Sequence, residues 1–339
     1  MTHRKRVYIA HTGGTIGMNR TRDGYSVVTG YLQQQMESMP EFKHPTMPEF
    51  TIHEYEPLLD SSNMTPREWV KIAQDIAANY DAYDGFVVLH GTDTMAYTAS
   101  ALPFMLDGLA KPVIITGSQI PLCEVRNDAR ENLITSLLIA SQHELPEVCL
   151  YFGGKLLRGC RAVKVSADGF AAFDSPNFPP LGTVGIDIEI NWPFVRRPPG
   201  GARLRVQELR SPVVSALRLF PGISPELVRN VLRPPLQGLV LEAYGVGNGP
   251  DQNRAFITAL EEATRRGVVI VDCTQCLEGT VDLSEYATGS SLARAGVISG
   301  FDMTAEAALA KLYYLFSRGD APGKVKREMQ RDLCGELTL

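Results

Sequence analysis

The stretch from Val7 to Gly17 reads VYIAHTGGTIG, a short run of β-branched and aromatic residues that ends in a glycine-rich turn. Such a run predicts a buried strand. Similar runs recur along the chain with helical patterns between them, and this alternation is typical of βαβ units in a mostly parallel sheet. The predicted strands of the N-terminal part are Val7–His11, Phe50–Tyr55, Phe86–His90, Val113–Thr116 and Val148–Phe152.

The helices between these strands have start signals and apolar faces. Thr65 followed by Pro66 and Glu68 predicts an N-cap, a proline in the first turn and a capping box. Apolar residues then recur with the spacing of one helix face, at Trp69, Ile72, Ala73, Ile76 and Ala77. Two more helices are predicted at about Thr94–Leu106 and Ala129–Ser141.

Prolines and glycines break the pattern between Ser175 and Ser211, which predicts an irregular connection between two domains. We therefore expect an N-terminal domain at 1–190, a linker at 191–211 and a smaller C-terminal α/β domain at 212–339. The predicted elements of the second domain are strands at Val213–Phe220, Leu239–Glu242 and Val268–Asp272, a helix opened by Ser224 and Pro225, a helix near Arg254–Thr264 and a last helix near Ala305–Phe316.

The composition excludes several classes of protein. The 339 residues include 33 Lys+Arg and 38 Asp+Glu, a formal net charge of −5, so there is no electrostatic footprint for nucleic acid. Apolar residues make up 44% of the chain, enough for a real core. No apolar run approaches the ~20 residues of a membrane span, and the run after the basic start is too short for a secretory signal.

The six cysteines are too sparse for a disulfide scaffold, which predicts free thiols in a reducing compartment. Cys273 and Cys276 have the spacing of a redox or metal motif, but no second cysteine pair or histidine cluster accompanies them. Core or site-lining thiols are the favoured interpretation.

Polar residues and glycines follow four of the predicted strands at their carboxyl ends, where open parallel sheets bind ligands. These segments are His11–Gly17, Asp60–Asn63, Gly91–Thr94 and Gly117–Gln119. A packing requirement does not explain this convergence. The glycine turn spells neither a dinucleotide-binding fingerprint nor a phosphate-binding P-loop, so a nucleotide site is disfavoured.

A threonine hydroxyl becomes a nucleophile only with a base or proton relay beside it, and Thr15 has none in its sequence neighbourhood. Thr92 and Asp93 are adjacent, and Lys164 is the nearest plausible basic partner. Lys164 lies between β-branched residues, where desolvation would lower its pKa and allow it to act as a base. On sequence alone an exposed strand lysine is the favoured interpretation of Lys164, and a helix N-cap is similarly plausible for Asp93.

Two motifs at their proper spacing resemble the signatures of the bacterial-type L-asparaginase family. They are the turn at Thr12–Gly17 and the segment HGTDT at His90–Thr94. The segments Asp60–Pro66 and Met95–Ala99 resemble the cytoplasmic type I branch of that family in particular. The likeness covers essentially the whole chain.

The resemblance implies a hydrolase that converts L-asparagine to L-aspartate and ammonia without metal or cofactor. Thr15 would be the nucleophile that forms an acyl-enzyme ester. Tyr25, on the mobile loop after the first turn, would close over the site and hydrogen-bond the Thr15 hydroxyl. Thr92, Asp93 and Lys164 would relay protons and position the water for deacylation.

The resemblance also implies a substrate site. Asp60, Ser61 and Ser62, aided by Asp93, would hold the α-carboxylate and α-ammonium, and backbone N–H groups near Thr92 and Ser118 would receive the oxyanion. The residues implied to bind substrate are Asp60, Ser61, Ser62, Gly91, Thr92, Asp93 and Ser118. Members of the family have a larger N-terminal and a smaller C-terminal α/β domain and assemble as homodimers or homotetramers.

Type I members are often activated by asparagine at a second pocket, which includes the position of Cys276. An arginine and a threonine of a bacterial relative align here with Glu242 and Val163. This departure predicts a vestigial regulatory pocket and leaves the implied catalytic residues unaffected.

Two alternatives remain. An amidase of the same fold could act on glutamine or on a misacylated tRNA, although the tRNA-dependent relatives have an extra domain before the first strand, which here begins at Val7. A non-catalytic α/β protein could bind a small molecule, but it would not need Thr15, Thr92, Asp93 and Lys164 together.

Overall fold

The computed structural model describes residues 4–22, 24–198, 200–201, 203–284 and 286–339. The chain divides into two compact units, Met1–Gln207 and Glu208–Leu339. The larger unit is built on a mostly parallel sheet and the smaller one on parallel strands with helices, so the predicted fold class is confirmed. No helix in the described ranges combines the length and the apolar character that crossing a membrane requires.

The N-terminal unit contains a sheet of eight strands with helices on its faces. Six further strands of this unit form separate two-stranded pairs. In chain order, all the strands of the unit in the described residues are β1 Arg6–Gly13, β2 Met18–Thr21, β3 Gly24–Val27, β4 Glu49–Leu59, β5 Gly85–Leu89, β6 Leu106–Asp107, β7 Val113–Thr116, β8 Val148–Phe152, β9 Lys155–Arg158, β10 Val163–Lys164, β11 Phe173–Asp174, β12 Gly182–Val184, β13 Ile188–Ile190 and β14 Arg205–Val206. Its helices are α1 Tyr31–Ser38, α2 Pro66–Ala78, α3 Met95–Met105 and α4 Ala129–Gln142.

The order of the large sheet is β13-β12-β9-β8-β7-β5-β1-β4, and the strands from β8 to β4 are parallel. Parallel strands covered on both faces are apolar throughout, and β5 is buried at every residue. The core joins Ile9, Val87 and Ile114 of the strands to Leu133 and Leu137 of α4. All five strands predicted for this part are present, with their carboxyl ends at one edge.

The predicted start of α2 is confirmed. Thr65 is its N-cap and forms a capping box with Glu68, whose Oε2 accepts a hydrogen bond from the Thr65 backbone N–H at 2.8 Å. Trp69, Ile72 and Ile76 of the predicted apolar face are buried. Helices α3 and α4 also have nearly the predicted bounds.

The predicted irregular connection at 175–211 was wrong in part. Strands β12 and β13 form an antiparallel hairpin that extends the large sheet through β9. The prolines lie outside these two strands, so they do not interrupt the ladder. Three-residue strands are too short to give a clear alternation in sequence. Pro199, which contributed to the prediction, lies outside the described residues.

The C-terminal unit has four parallel strands in sequence order, with helices on both faces. The strands are β15 Val214–Arg218, β16 Gly238–Ala243, β17 Val269–Thr274 and β18 Ile298–Ser299, and the helices are α5 Pro225–Val231, α6 Arg254–Arg265, α7 Ala287–Arg294, α8 Ala305–Ser317 and α9 Pro322–Met329. Alternate residues of β16 face opposite sides, with Leu239 in one core cluster and Val240 in the other.

The prediction that α8 is the last helix was wrong, because α9 follows it. Its first residue is Pro322, and only Val325 and Met329 are buried along it. A helix with two buried side chains gives too little apolar periodicity to be recognised in sequence.

A buried acid lies at the centre of the C-terminal unit. Asp272 of β17 is 0% exposed, and neither carboxyl oxygen has a hydrogen-bond partner within the part of the chain that the structure describes. Gly247 packs against it, since a Cβ at that position would lie 3.1 Å from Asp272 Oδ2. Burial raises the pKa of Asp272 to about 8, so the carboxyl is neutral in the folded protein at neutral pH.

This raised pKa predicts that the protein loses stability as the pH rises from the acidic into the neutral range. The folded state keeps a proton that the unfolded chain releases near pH 4, so Asp272 lowers the free energy of unfolding as pH rises from about 4 to about 8. The limiting slope is ~1.4 kcal/mol per pH unit. We expect Asp272→Asn to gain stability relative to the unsubstituted protein between pH 5 and pH 8 in urea unfolding. Parallel stability curves for the two proteins would contradict this prediction.

Candidate active site

Two strand-end turns touch at a pair of glycines. Gly14 follows β1 with a φ of 85°, and its N–H donates to the Leu59 carbonyl at the end of β4 at 3.1 Å. A Cβ on Gly14 would lie 2.4 Å from the backbone nitrogen of Gly91, which follows β5. Only glycine combines this φ with this approach. The contact therefore brings the turn that carries Thr15 against the turn that carries Thr92.

The turn after β4 packs against the turn that contains Gly91. A Cβ on Gly91 would lie 2.5 Å from Ser61 Oγ, so this glycine leaves room for the serine side chain. The Thr94 hydroxyl donates to the Ser61 carbonyl at 2.7 Å. Three of the four predicted strand-end segments thus interlock at one edge of the sheet.

A buried chain of hydrogen bonds supports the turn after β5. The indole N–H of Trp69 donates to Thr98 Oγ1 at 3.0 Å, and the Thr98 hydroxyl lies 2.8 Å from His90 Nε2. His90 Nδ1 lies 2.7 Å from the Gly91 carbonyl. These partners assign the proton to Nδ1, and burial lowers the pKa of His90 to about 4. A neutral His90 therefore holds the Gly91 carbonyl in place.

Lys164 meets Thr92 and Asp93 in space although 71 residues separate it from Asp93 in sequence. Its ammonium donates to Thr92 Oγ1 at 2.9 Å and to Asp93 Oδ1 at 2.7 Å. The Thr92 hydroxyl in turn donates to Gln119 Oε1 at 3.2 Å. The Thr92 hydroxyl thus lies between an ammonium donor and an amide acceptor, and Asp93 holds the ammonium.

The structural alternatives for this group do not hold. The Lys164 side chain is 20% exposed and engaged at both partners, so it is no solvated strand lysine. The N-cap of α3 is Thr94, and no side chain caps that helix end. Asp93 is therefore not a helix cap, and its side chain is 65% exposed.

Thr15 opens onto a cavity of about 680 Å³ whose walls include Tyr25, Gln119 and Glu124. Tyr25 lies on the hairpin formed by β2 and β3, and its hydroxyl donates to Glu124 Oε1 at 2.6 Å. That hydrogen bond raises the pKa of the Tyr25 phenol. The one phenolic proton goes to Glu124, so a bond between Tyr25 and Thr15 would have Thr15 as the donor.

The remaining predicted residues lie at the same strand ends. Asp60 accepts hydrogen bonds from the Ser62 N–H and hydroxyl, each at 2.8 Å, and the N–H bond lowers the pKa of Asp60. Ser61 is buried. Ser118 follows β7 and is 1% exposed, and its hydroxyl has no protein partner among the described residues.

The sequence assigned no role to Gln119 or Glu124. Gln119 is the last residue of the marked segment Gly117–Gln119, and its side chain also donates to the Ala167 and Gly169 carbonyls at 3.2 and 3.1 Å. Its position after a strand end was a usable signal. Glu124 lies in a loop without periodicity, and nothing in the sequence connects it to Tyr25.

The residues of the predicted regulatory pocket have local partners. Arg218 Nη1 lies 3.1 Å from Glu242 Oε2 within the C-terminal unit. Cys276 is exposed, and its backbone N–H bonds Thr274 Oγ1 at 3.0 Å. Val163 is half-buried in β10.

Comparison with known families identifies the class. A family model described as Asparaginase, N-terminal matches residues 6–196, and one described as Glutaminase/Asparaginase C-terminal domain matches residues 213–329. The chain belongs to the asparaginase family and is an amidohydrolase.

Its relatives include L-asparaginase 1 of Escherichia coli, which is 54% identical over 99% of this chain and 98% of its own length. The crystal structure of L-asparaginase I from Vibrio cholerae superposes with a TM-score of 0.93 at 53% identity, covering 99% of this chain and 100% of that one. The thermostable L-asparaginase from Thermococcus kodakarensis gives a TM-score of 0.89 at 34% identity, covering 98% and 99%.

The glycine contact predicts a sharp effect of one methyl group. We expect Gly14→Ala to lower amide hydrolysis by about 100-fold or more, because the turns of Thr15 and Thr92 must separate. Gly222→Ala is the matched control, since Gly222 has a φ of 88° but nothing within 4 Å of the added Cβ. Both variants carry ~1–2 kcal/mol of backbone strain. Equal activities per folded molecule would contradict the prediction.

Proposed function

We propose that this protein hydrolyses L-asparagine to L-aspartate and ammonia, with Thr15 as the nucleophile. The observation that supports it is the convergence of Lys164, Asp93 and Thr92 beside the Thr15 turn. The similarity to L-asparaginase 1 of Escherichia coli over nearly the whole chain supports the choice of substrate.

In the acylation step, Thr15 Oγ attacks the side-chain carboxamide carbon of asparagine. The new C–O bond forms, the C–N bond breaks, and the threonine proton leaves with the nitrogen as ammonia. Tyr25, whose hydroxyl donates to Glu124, offers a phenolic oxygen that accepts from the Thr15 hydroxyl and orients it. Backbone N–H groups near Thr92 and Ser118 stabilise the oxyanion.

In the deacylation step, water attacks the aspartyl ester of Thr15. The water oxygen bonds to the acyl carbon, the ester bond from that carbon to Thr15 Oγ breaks, and one water proton returns to Thr15 Oγ. L-aspartate is released, and the other water proton is taken up by the ammonia formed in the first step. Thr92 positions this water and passes the proton, while Lys164, which also donates to Asp93, fixes the Thr92 oxygen. The short Lys164 contacts keep the threonine in one orientation through both steps.

The substrate's charged α-groups distinguish asparagine from a simple amide. Asp60, Ser61 and Ser62, with Gly91 beside them, hold the α-carboxylate and α-ammonium. The exposed carboxylate of Asp93 faces the ammonium group. Asp60 stays ionised because Ser62 stabilises its charged form, so it can pair with the ammonium at neutral pH.

The proposal also covers the domain bounds, the cellular location and the oligomeric state of the enzyme. We assign the catalytic residues to the domain at 1–190, followed by a linker at 191–211 and the domain at 212–339. The enzyme would be cytoplasmic, consistent with six free cysteines, and a homodimer or homotetramer without cofactor or metal.

We expect that a second asparagine does not activate this enzyme. Glu242 presents a carboxylate, already paired with Arg218, where an effector carboxylate would need a cation. We expect the initial rate to depend hyperbolically on asparagine concentration, and Cys276→Ala to leave that shape unchanged. A sigmoidal curve would show that a regulatory pocket persists.

The test of the function is ammonia release from L-asparagine, with L-glutamine as the comparison substrate. We expect Thr15→Ala and Thr92→Val each to lower turnover by about 1,000-fold or more while the melting temperature stays close to that of the unsubstituted protein. Thr183→Val, an exposed threonine on the β12–β13 hairpin, is the control. Unchanged turnover in either variant would remove that threonine from the mechanism, and no release from asparagine would refute the function.

A further inference from the structure

The hairpin that carries Tyr25 is attached to the body of the N-terminal unit at a partly exposed tyrosine. Strands β2 and β3 pair from Met18 to Val27, with Arg20 opposite Tyr25. The Tyr25 side chain is 45% exposed, so burial does not hold it. Its hydroxyl nevertheless makes a 2.6 Å hydrogen bond to Glu124, 99 residues further along the chain.

Glu124 belongs to a loop that is itself fixed. The Asn127 side-chain amide donates to the Glu124 carbonyl at 2.5 Å, and Asn127 Oδ1 accepts from the Arg130 N–H in the first turn of α4. Asp128 accepts from the backbone N–H groups of Gln119 and Ile120 at the start of the same loop. The carboxylate of Glu124 is therefore presented from a rigid base.

The two ends of the hairpin are fixed by a second acid. Glu54 Oε2 accepts from the Gly30 N–H at 2.6 Å, just after β3. Glu54 Oε1 lies 3.4 Å from Nδ1 of buried His11, whose ring packs against Gly17 just before β2. With both ends held at Gly17 and Gly30, the position of Tyr25 over Thr15 depends on what holds the middle of the hairpin.

We propose that Glu124 is a positioning residue that holds Tyr25, and with it the Met18–Val27 hairpin, over Thr15. The inference rests on the proposed function and deepens it. Because the Tyr25 hydroxyl donates its one proton in the hydrogen bond to Glu124, its oxygen remains available as an acceptor, in a fixed place, for the Thr15 hydroxyl. The role needs a hydrogen-bond acceptor at 124 and a hydroxyl at 25.

The test compares three single variants, Glu124→Ala, Glu124→Gln and Tyr25→Phe, with the double variant that combines Glu124→Ala and Tyr25→Phe. We expect Glu124→Ala to lower kcat for asparagine by about 10- to 100-fold, the loss expected for a hydrogen bond to a charged group. Glu124→Gln should recover most of that loss, because its amide oxygen still accepts the phenolic proton. Glu124→Ala should have no further effect once Tyr25 is phenylalanine.

Two readouts separate this inference from its alternatives. Glu131→Ala, which removes an exposed acid from the neighbouring turn of α4, should leave kcat and KM unchanged. Amide hydrogen exchange in the Met18–Val27 segment should be faster in Glu124→Ala at an unchanged melting temperature, and this measurement requires no substrate. Unchanged exchange and unchanged kcat, or a full effect of Glu124→Ala in the Tyr25→Phe background, would overturn the proposal. If the unsubstituted protein releases no ammonia, the proposed function fails while the exchange experiment still tests the Glu124 contact.

Discussion

The close approach of Gly14 to Gly91 is the constraint on which the site depends. Two adjacent parallel strands end in turns that must touch, and any side chain at Gly14 would occupy the position of the Gly91 backbone. The sheet alone would place Thr15 and Thr92 only at the same edge. The glycine pair brings the two turns that carry them into contact, and the Thr94–Ser61 hydrogen bond then fixes the third turn to the second.

Charge in this site is distributed so that ionised groups surround neutral ones. Lys164 and Asp93 neutralise each other across Thr92, while His90 beneath the turn is neutral because it is buried. Asp60 keeps an ionised carboxylate for a substrate, and the Asp93 carboxylate, although it is paired with Lys164, is 65% exposed. This arrangement suits an amide that carries an α-ammonium group, which can pair with these carboxylates while the carboxamide meets hydroxyls.

Local signals in the sequence were sufficient for most of the fold. The strand at 113–116 and the capping box at Thr65 follow from residues within a few positions of each other, and both are confirmed. Contacts between residues far apart in sequence could not be predicted. Sequence alone left two interpretations of Lys164, and no sequence signal indicated the Tyr25–Glu124 contact. The β12–β13 hairpin was missed because its strands are too short for periodicity.

The most direct measurement is a crystal structure of the protein with L-aspartate, the proposed product. We expect one aspartate whose side-chain carboxylate lies within about 3.2 Å of both Thr15 Oγ and Thr92 Oγ1, with its α-groups on Asp60 and Ser62. An aspartate that contacts only one of the two threonines, or a structure in which their turns have separated around the ligand, would contradict a single site built by the glycine contact.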